Sequence, residues 1–185
     1  AVIARELPRL RRELEAARQA GVTQARLGHI GQLPLARSFG LTPRGDFGLG
    51  LTNDETAVEL ARLGFASATA SFESRLAQIR DLSKPLDLEL LVYGRLPLML
   101  MEHCILRNRG QGCHCQDKPQ SLGDRKGEHF PVEPAWGCRN ELFNAKPLWL
   151  ADKTDWRTAG AAYARLAFLR EGPGECARVF RAYRE

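Results

Sequence analysis

No stretch of this chain is apolar for long enough to cross a membrane. The longest run, "LPLMLM" at 96–101, falls far short of the roughly 20 residues that a spanning helix needs. The opening residues do not read as a signal peptide, and the five cysteines are an odd number, so a disulfide framework is not expected. Reduced thiols are therefore expected, and with them a cytoplasmic location. No internal repeat is visible beyond a βα unit, and no tract is of low complexity. There is no initiator Met, and the first residues already follow a helical pattern, as expected of a segment cut from a longer protein. Neither sign of charge dominates. The net charge of +5 comes mostly from arginine, a surplus that describes a solvated surface more readily than a nucleic-acid partner.

What is present is ordinary for a globular protein. The chain has 185 residues, 44% hydrophobic and 26% charged, enough for one sizeable core and hence for a single domain over 1–185. "ELPRLRRELEAARQAG" spaces Leu7, Leu10, Leu14 and Ala17 as one face of a helix, and Gly21 follows as a stop signal. "QARLGHIG" and "DFGLGLTN" read as two strands. Thr52 or Asn53 then caps the helix "DETAVELARLG". "FASATAS" reads as a third strand, "ESRLAQIRDLS" as a helix and "LDLELLVYG" as a fourth strand. Strands alternating with helices imply an α/β fold with parallel strands joined by right-handed crossovers.

The alternation breaks over 104–130, a Cys- and Gly-rich insertion without a sustained period. It follows an apolar strand, at the carboxyl end where parallel α/β folds gather ligands and catalytic groups. "KPLWLADK", "WRTAGA", "YARLAFLR" and "PGECARVFRAYR" then resume the pattern.

Cys104, Cys113, Cys115 and Cys138 form C-x8-C-x-C-x22-C. Four soft thiolates suit tetrahedral zinc or an iron–sulfur cluster, although the spacing is not that of a zinc ribbon. The competing explanation is four small buried hydrophobes. Burial suits Cys176 better, since it lies in a helical stretch with Val179 and Phe180 on one apolar face, and the polar loop offers little to bury a thiol in. His103 and His114 could each replace a cysteine as ligand, and a Cys/His nucleophilic pair is a further alternative. Around the cysteines, Arg107, Arg109, Arg125, Lys126 and Arg139 would form an anion-binding rim, with Asp124, Arg125 and Lys126 in a tight turn between two short strand-like pieces of "LGDRKGEHFPV". Each of them could equally be a solvated surface charge. Glu102 and Glu141 are candidate acid–base groups, and Asn140 and Asn144 candidate loop anchors.

In order, "ELLVYGRLPLMLMEHC", "LGDRKGEHFPV", "GCRNELFNAKPLWL" and "ARLAFLREGPGE" resemble the collagenase-like peptidase family U32, in its longer bacterial branch. "GDFGLGLTNDETAVELARLG" resembles the βα units upstream of the family motif. Glu89, Gly94 and Cys104 fall on the motif's acidic, glycine and cysteine positions, whereas Leu91 and Arg95 depart from it. The resemblance implies a partial TIM-like (β/α) barrel, and a hydrolase acting on peptides. It also implies a metal-binding centre, a [4Fe-4S] cluster or zinc. Cys104, Cys113 or Cys115, and Cys138 match three ligand positions of relatives that hydroxylate RNA or ubiquinone precursors. Trp149 stands at the fourth, which leaves Cys115 to substitute for it. The implied partners are the remainder of the parent chain or a second copy, with a peptide or RNA as substrate. Two other functions stay open beside the peptidase: an oxygen-independent hydroxylase of RNA or a small aromatic, and a non-catalytic half of a larger barrel. No catalytic nucleophile transfers from the family.

Overall fold

The computed structural model describes residues 4–107, 119–153 and 155–184. The chain divides into two compact units: Ala1–Leu91 with Lys153–Arg165, and Val92–Asp152 with Leu166–Glu185.

The first unit is built from βα repeats. Helix α1 (Leu7–Gln19) leads into β1 (Gln24–Leu27), α2 (Leu33–Ser38) into β2 (Thr42–Gly45), α3 (Asp54–Arg62) into β3 (Ser67–Thr69), and α4 (Leu76–Asp81) into β4 (Asp87–Gly94). The four strands are parallel and lie in chain order in a curled sheet, part of a β/α barrel. Asn53 caps α3, its side-chain oxygen accepting from the Thr56 amide at 2.9 Å, and Ala57 and Leu60 form the helix's buried face. Strand β10 (Tyr163–Ala167) is the neighbour of β4, and the Ala162 amide donates to the Leu88 carbonyl at 2.8 Å.

Parallel pairing makes opposite residues share a face. Ala25, Leu27, Ala68, Leu88 and Leu90 therefore take one side, and Arg26, Arg44, Thr69 and Glu89 the other. The first side carries much of the unit's core, together with Leu33, Ala36, Leu51, Leu60 and Ile79. The second is polar, unlike the branched apolar layers that usually fill a β/α barrel.

One expected strand is misplaced. The second strand is "TPRG", not "DFGLGLTN", in which Phe47–Leu49 form a single 3-10 turn. Alternating apolar residues there imitate a strand, whereas the strand that forms contains Pro43 and Gly45. Gly45 fits because a Cβ would meet the Ala68 Cβ at 3.0 Å and the Leu49 side chain at 2.9 Å, so only glycine lets β2 lie this close to β3.

The second unit contains a four-stranded antiparallel sheet that the βα pattern did not anticipate. Its strands are β5 (Pro97–Met101), β6 (Gln120–Gly123), β7 (His129–Ala135) and β8 (Arg139–Phe143), in the order β5-β8-β7-β6. Strand β6 falls inside the aperiodic span, and β6 and β7 are the two short strand-like pieces expected around Asp124. The expected tight turn after Asp124 joins β6 to β7, where the Asp124 carboxylate accepts from the amides of Lys126 at 2.7 Å and Glu128 at 2.9 Å. Strand β9 (Leu148–Trp149) runs antiparallel to the end of β4, pairing Trp149 with Tyr93. Helix α5 (Pro173–Arg184) buries Val179, but Phe180 is 52% exposed, so the expected shared face with Cys176 does not include it.

Candidate functional site

Strands β5 and β8 pair with Met101 opposite Asn140. Extending that register past the last pair sets Glu102 beside Arg139 and brings His103 and Cys104 out at the end where β8 begins after Cys138. Two contacts hold this end together. The Ile105 amide donates to the side-chain oxygen of Asn140 at 2.8 Å, and Arg139 Nε donates to Glu102 Oε1 at 2.8 Å. Cys104 and Cys138 thus emerge at the same end of one strand pair.

Their surroundings differ. Cys104 is 7% exposed and packs with Leu106 and Val132, with Ile105, Leu122 and Leu142 at the edge of the cluster. The loop start therefore buries a thiol after all, because it lies against the apolar face of the antiparallel sheet. Cys138 is exposed in the turn between β7 and β8, at φ 61°, directly after Gly137 at φ 76°. Among the described residues it is the one non-glycine with positive φ. Left-handed backbone costs an L-residue about 1–2 kcal/mol, and such strain is concentrated at functional positions. Cys113, Cys115, His114 and Arg109 lie outside the described residues. Among those described, no three His, Cys, Asp or Glu side chains gather as a metal-binding group.

The cationic residues of the expected rim separate. Arg139 is only 3% exposed and also donates to the Trp136 carbonyl at 3.3 Å. Arg107 is exposed as the last residue of its described segment, and Arg125 and Lys126 are exposed at the β6–β7 turn. Trp149 is part of an aromatic cluster with Tyr93 and Tyr183, its ring 5.8 Å from the first and 5.7 Å from the second. Cys176 donates to the Glu171 carbonyl at 3.6 Å.

A second polar constellation, on the parallel sheet of the first unit, was not expected from the sequence. Glu89, 7% exposed, accepts two hydrogen bonds from the Arg26 guanidinium and one from Thr69 Oγ1 at 2.8 Å. Arg165 lies 3.7 Å from the same carboxylate and donates to Asp46 Oδ1 at 2.6 Å. Burial pushes the Glu89 carboxyl upward, but the Arg26 and Thr69 hydrogen bonds and the Arg26 and Arg165 charges outweigh it and hold the group below its usual range. A sequence signal existed: "QARL" places one charge, Arg26, and "LDLELLVYG" two, Asp87 and Glu89, on strands otherwise suited to burial.

Compared with models of known protein families, with curated proteins and with solved structures, the chain matches none. No helix among the described residues is long and apolar enough to cross a membrane.

Proposed function

We propose that this chain is a domain of a U32-type, collagenase-like peptidase, built as a partial TIM-like barrel with a cysteine-held metal or iron–sulfur centre. The observation that carries the reading is the emergence of Cys104 and Cys138 at one end of the β5–β8 pair, on either side of the segment that holds Cys113 and Cys115. The ordered motif resemblance and the parallel βα units support it. A zinc ion held there would act as a Lewis acid or a structural tie, and a [4Fe-4S] cluster would supply electron transfer. Cys104 would provide a buried, positionally fixed thiolate, and Cys138 a thiolate presented by a strained turn. Arg107, Arg125 and Lys126 remain the exposed groups available to an anionic portion of substrate, whereas Arg139 is buried against Glu102 and would act through its neighbours. Peptide and RNA are the two substrate classes, and the rest of a parent chain or a second copy is the partner.

A specific observation favours the non-catalytic half-barrel as the second reading. On the polar face of the parallel sheet, Glu89 and Asp46 are both engaged by arginines, so neither is poised to transfer a proton.

Anaerobic purification followed by metal and sulfide analysis and an absorption spectrum tests the centre. Iron with acid-labile sulfide, or stoichiometric zinc, is expected, and loss in both Cys104→Ser and Cys138→Ser. Metal-free protein from every preparation overturns the proposal. Peptide hydrolysis by metal-loaded protein then separates the peptidase from the non-catalytic half.

A further inference from the structure

We propose that Glu89 is a shared clasp: one carboxylate binds arginines from both flanks of the parallel sheet, Arg26 on β1 and Arg165 on β10, and so sets the sheet's curl until acid releases it.

The geometry of the first unit carries this. Two strands, β2 and β3, separate β1 from β4. A flat sheet would hold β1 and β4 roughly 14 Å apart, at about 4.8 Å per strand. Arg26 nevertheless meets Glu89 with both terminal nitrogens, so the sheet bends toward the face that carries the pair. From the other flank, Arg165 reaches past Glu89 to Asp46, just beyond β2. Asp46 Oδ1 also accepts from the Phe47 amide at 2.9 Å, which ties the loop after β2 into the same network.

Among the described residues, the groups that meet Glu89 come from several elements, and on its own strand and face Asp87 accepts from the Tyr163 hydroxyl at 3.0 Å. Arg26 comes from β1, Thr69 from β3, Arg165 from β10 and Asp46 from the loop after β2. Arg44 shares the face and stands opposite Arg26 in register, but turns to Gln24 Oε1 at 2.7 Å and Ser67 Oγ at 2.9 Å. Without Glu89, Arg26 and Arg44 would be like charges side by side on neighbouring strands, an arrangement that destabilises a sheet. With its oxygens occupied by Arg26 and Thr69, Glu89 has little acceptor capacity left to serve as a general base. The family motif's acidic position thus acts on the posture of the sheet.

The sign follows from the lowered carboxyl. Its contribution is complete above the ordinary carboxylate range and is lost as pH falls through the depressed folded value. The experiment is a set of unfolding cycles on the full chain with Arg26→Gln, Arg165→Gln and their double, in the native background and in Glu89→Gln. Arg26 and Arg165 should be coupled when Glu89 is present and additive when it is Gln. Hydrogen exchange gives the local readout. The Asp46 amide, bonded to the Leu27 carbonyl at 2.8 Å, should lose protection several-fold in Glu89→Gln, while α3 amides keep theirs. If Glu89→Gln does not fold, the Arg26–Arg165 coupling measured against pH replaces it and should vanish on acidification. Additivity in the native background at neutral pH, or an equal loss of protection across the unit, overturns the clasp.

Discussion

Asn140 holds Ile105. Its side-chain oxygen takes the Ile105 backbone amide at 2.8 Å, and its own NH₂ donates to the Arg139 carbonyl at 3.1 Å, with the residue only 1% exposed. This one carboxamide ties the segment that carries Cys104 to the strand that follows Cys138. Asn140→Ala should therefore cost about 1–3 kcal/mol, because it leaves a part-buried amide and a buried carbonyl short of a partner. The proposed centre should lose metal with it, since Cys104 loses its anchor. Thermal unfolding and metal analysis on the same preparation check both effects. Full metal retention in a destabilised variant would separate the anchor from the centre.

The turn at Cys138 makes a contrasting prediction. Glycine at φ 61° carries no Cβ penalty, so Cys138→Gly should leave stability unchanged or raise it by up to about 1 kcal/mol. Cys138→Ala keeps the strained backbone and should show no such gain. Both variants should bind less metal. Denaturant unfolding of the metal-free forms measures the first effect and metal titration the second. If the residue is held only by its turn, metal uptake will be equal in all three proteins.

Much of the first unit was legible because its signals are local. Asn53 before "DETAVELAR" marks a cap, and "LDLELLVYG" is long enough to be a strand in any context. Strand β2 was not legible, since "TPRG" has poor strand propensity and is placed by packing against Ala68. Of the antiparallel sheet only the β6–β7 hairpin at Asp124 was legible, and the rest was hidden for a different reason. Its partners are far apart in sequence, as when Met101 meets Asn140, and period alone does not reveal pairing. Cys104 and Cys138 were visible as residue types, but their common location depends on that pairing. The Glu89 network was less visible still, because it joins residues 26, 46, 69, 89 and 165 through the curl of a sheet.

Gly94 has a steric reason to be there. Its φ is 134°, and a Cβ would strike the carbonyl oxygen of Ala167. Gly94→Ala should destabilise the protein by on the order of 2–4 kcal/mol, combining backbone strain with a displaced strand. Urea unfolding measures it, and Gly127→Ala is the control. Gly127 also has positive φ, at 81°, but nothing lies within 4 Å of its would-be Cβ. Equal costs at the two positions would show that backbone strain alone explains Gly94.

The alkaline limb of stability should belong in part to Tyr93. Burial raises its hydroxyl to about 12, with help from the Glu171 carboxylate that it donates to at 2.9 Å. The unfolded chain ionises near the ordinary tyrosine value, roughly 10, so above that pH it sheds a proton that the folded chain keeps. Stability from Tyr93 is thus complete below about 10 and is lost progressively as pH rises toward the folded value. Tyr93→Phe should lower stability at neutral pH, because the Glu171 carboxylate loses a donor, and flatten the decline between about 10 and 12. Tyr183 lies in the same aromatic cluster and is also shifted upward by burial, so part of the limb should persist in that variant. Denaturation midpoints across the alkaline range measure the difference. An unchanged slope in Tyr93→Phe would assign the whole limb to other groups, with Tyr183 the first to test.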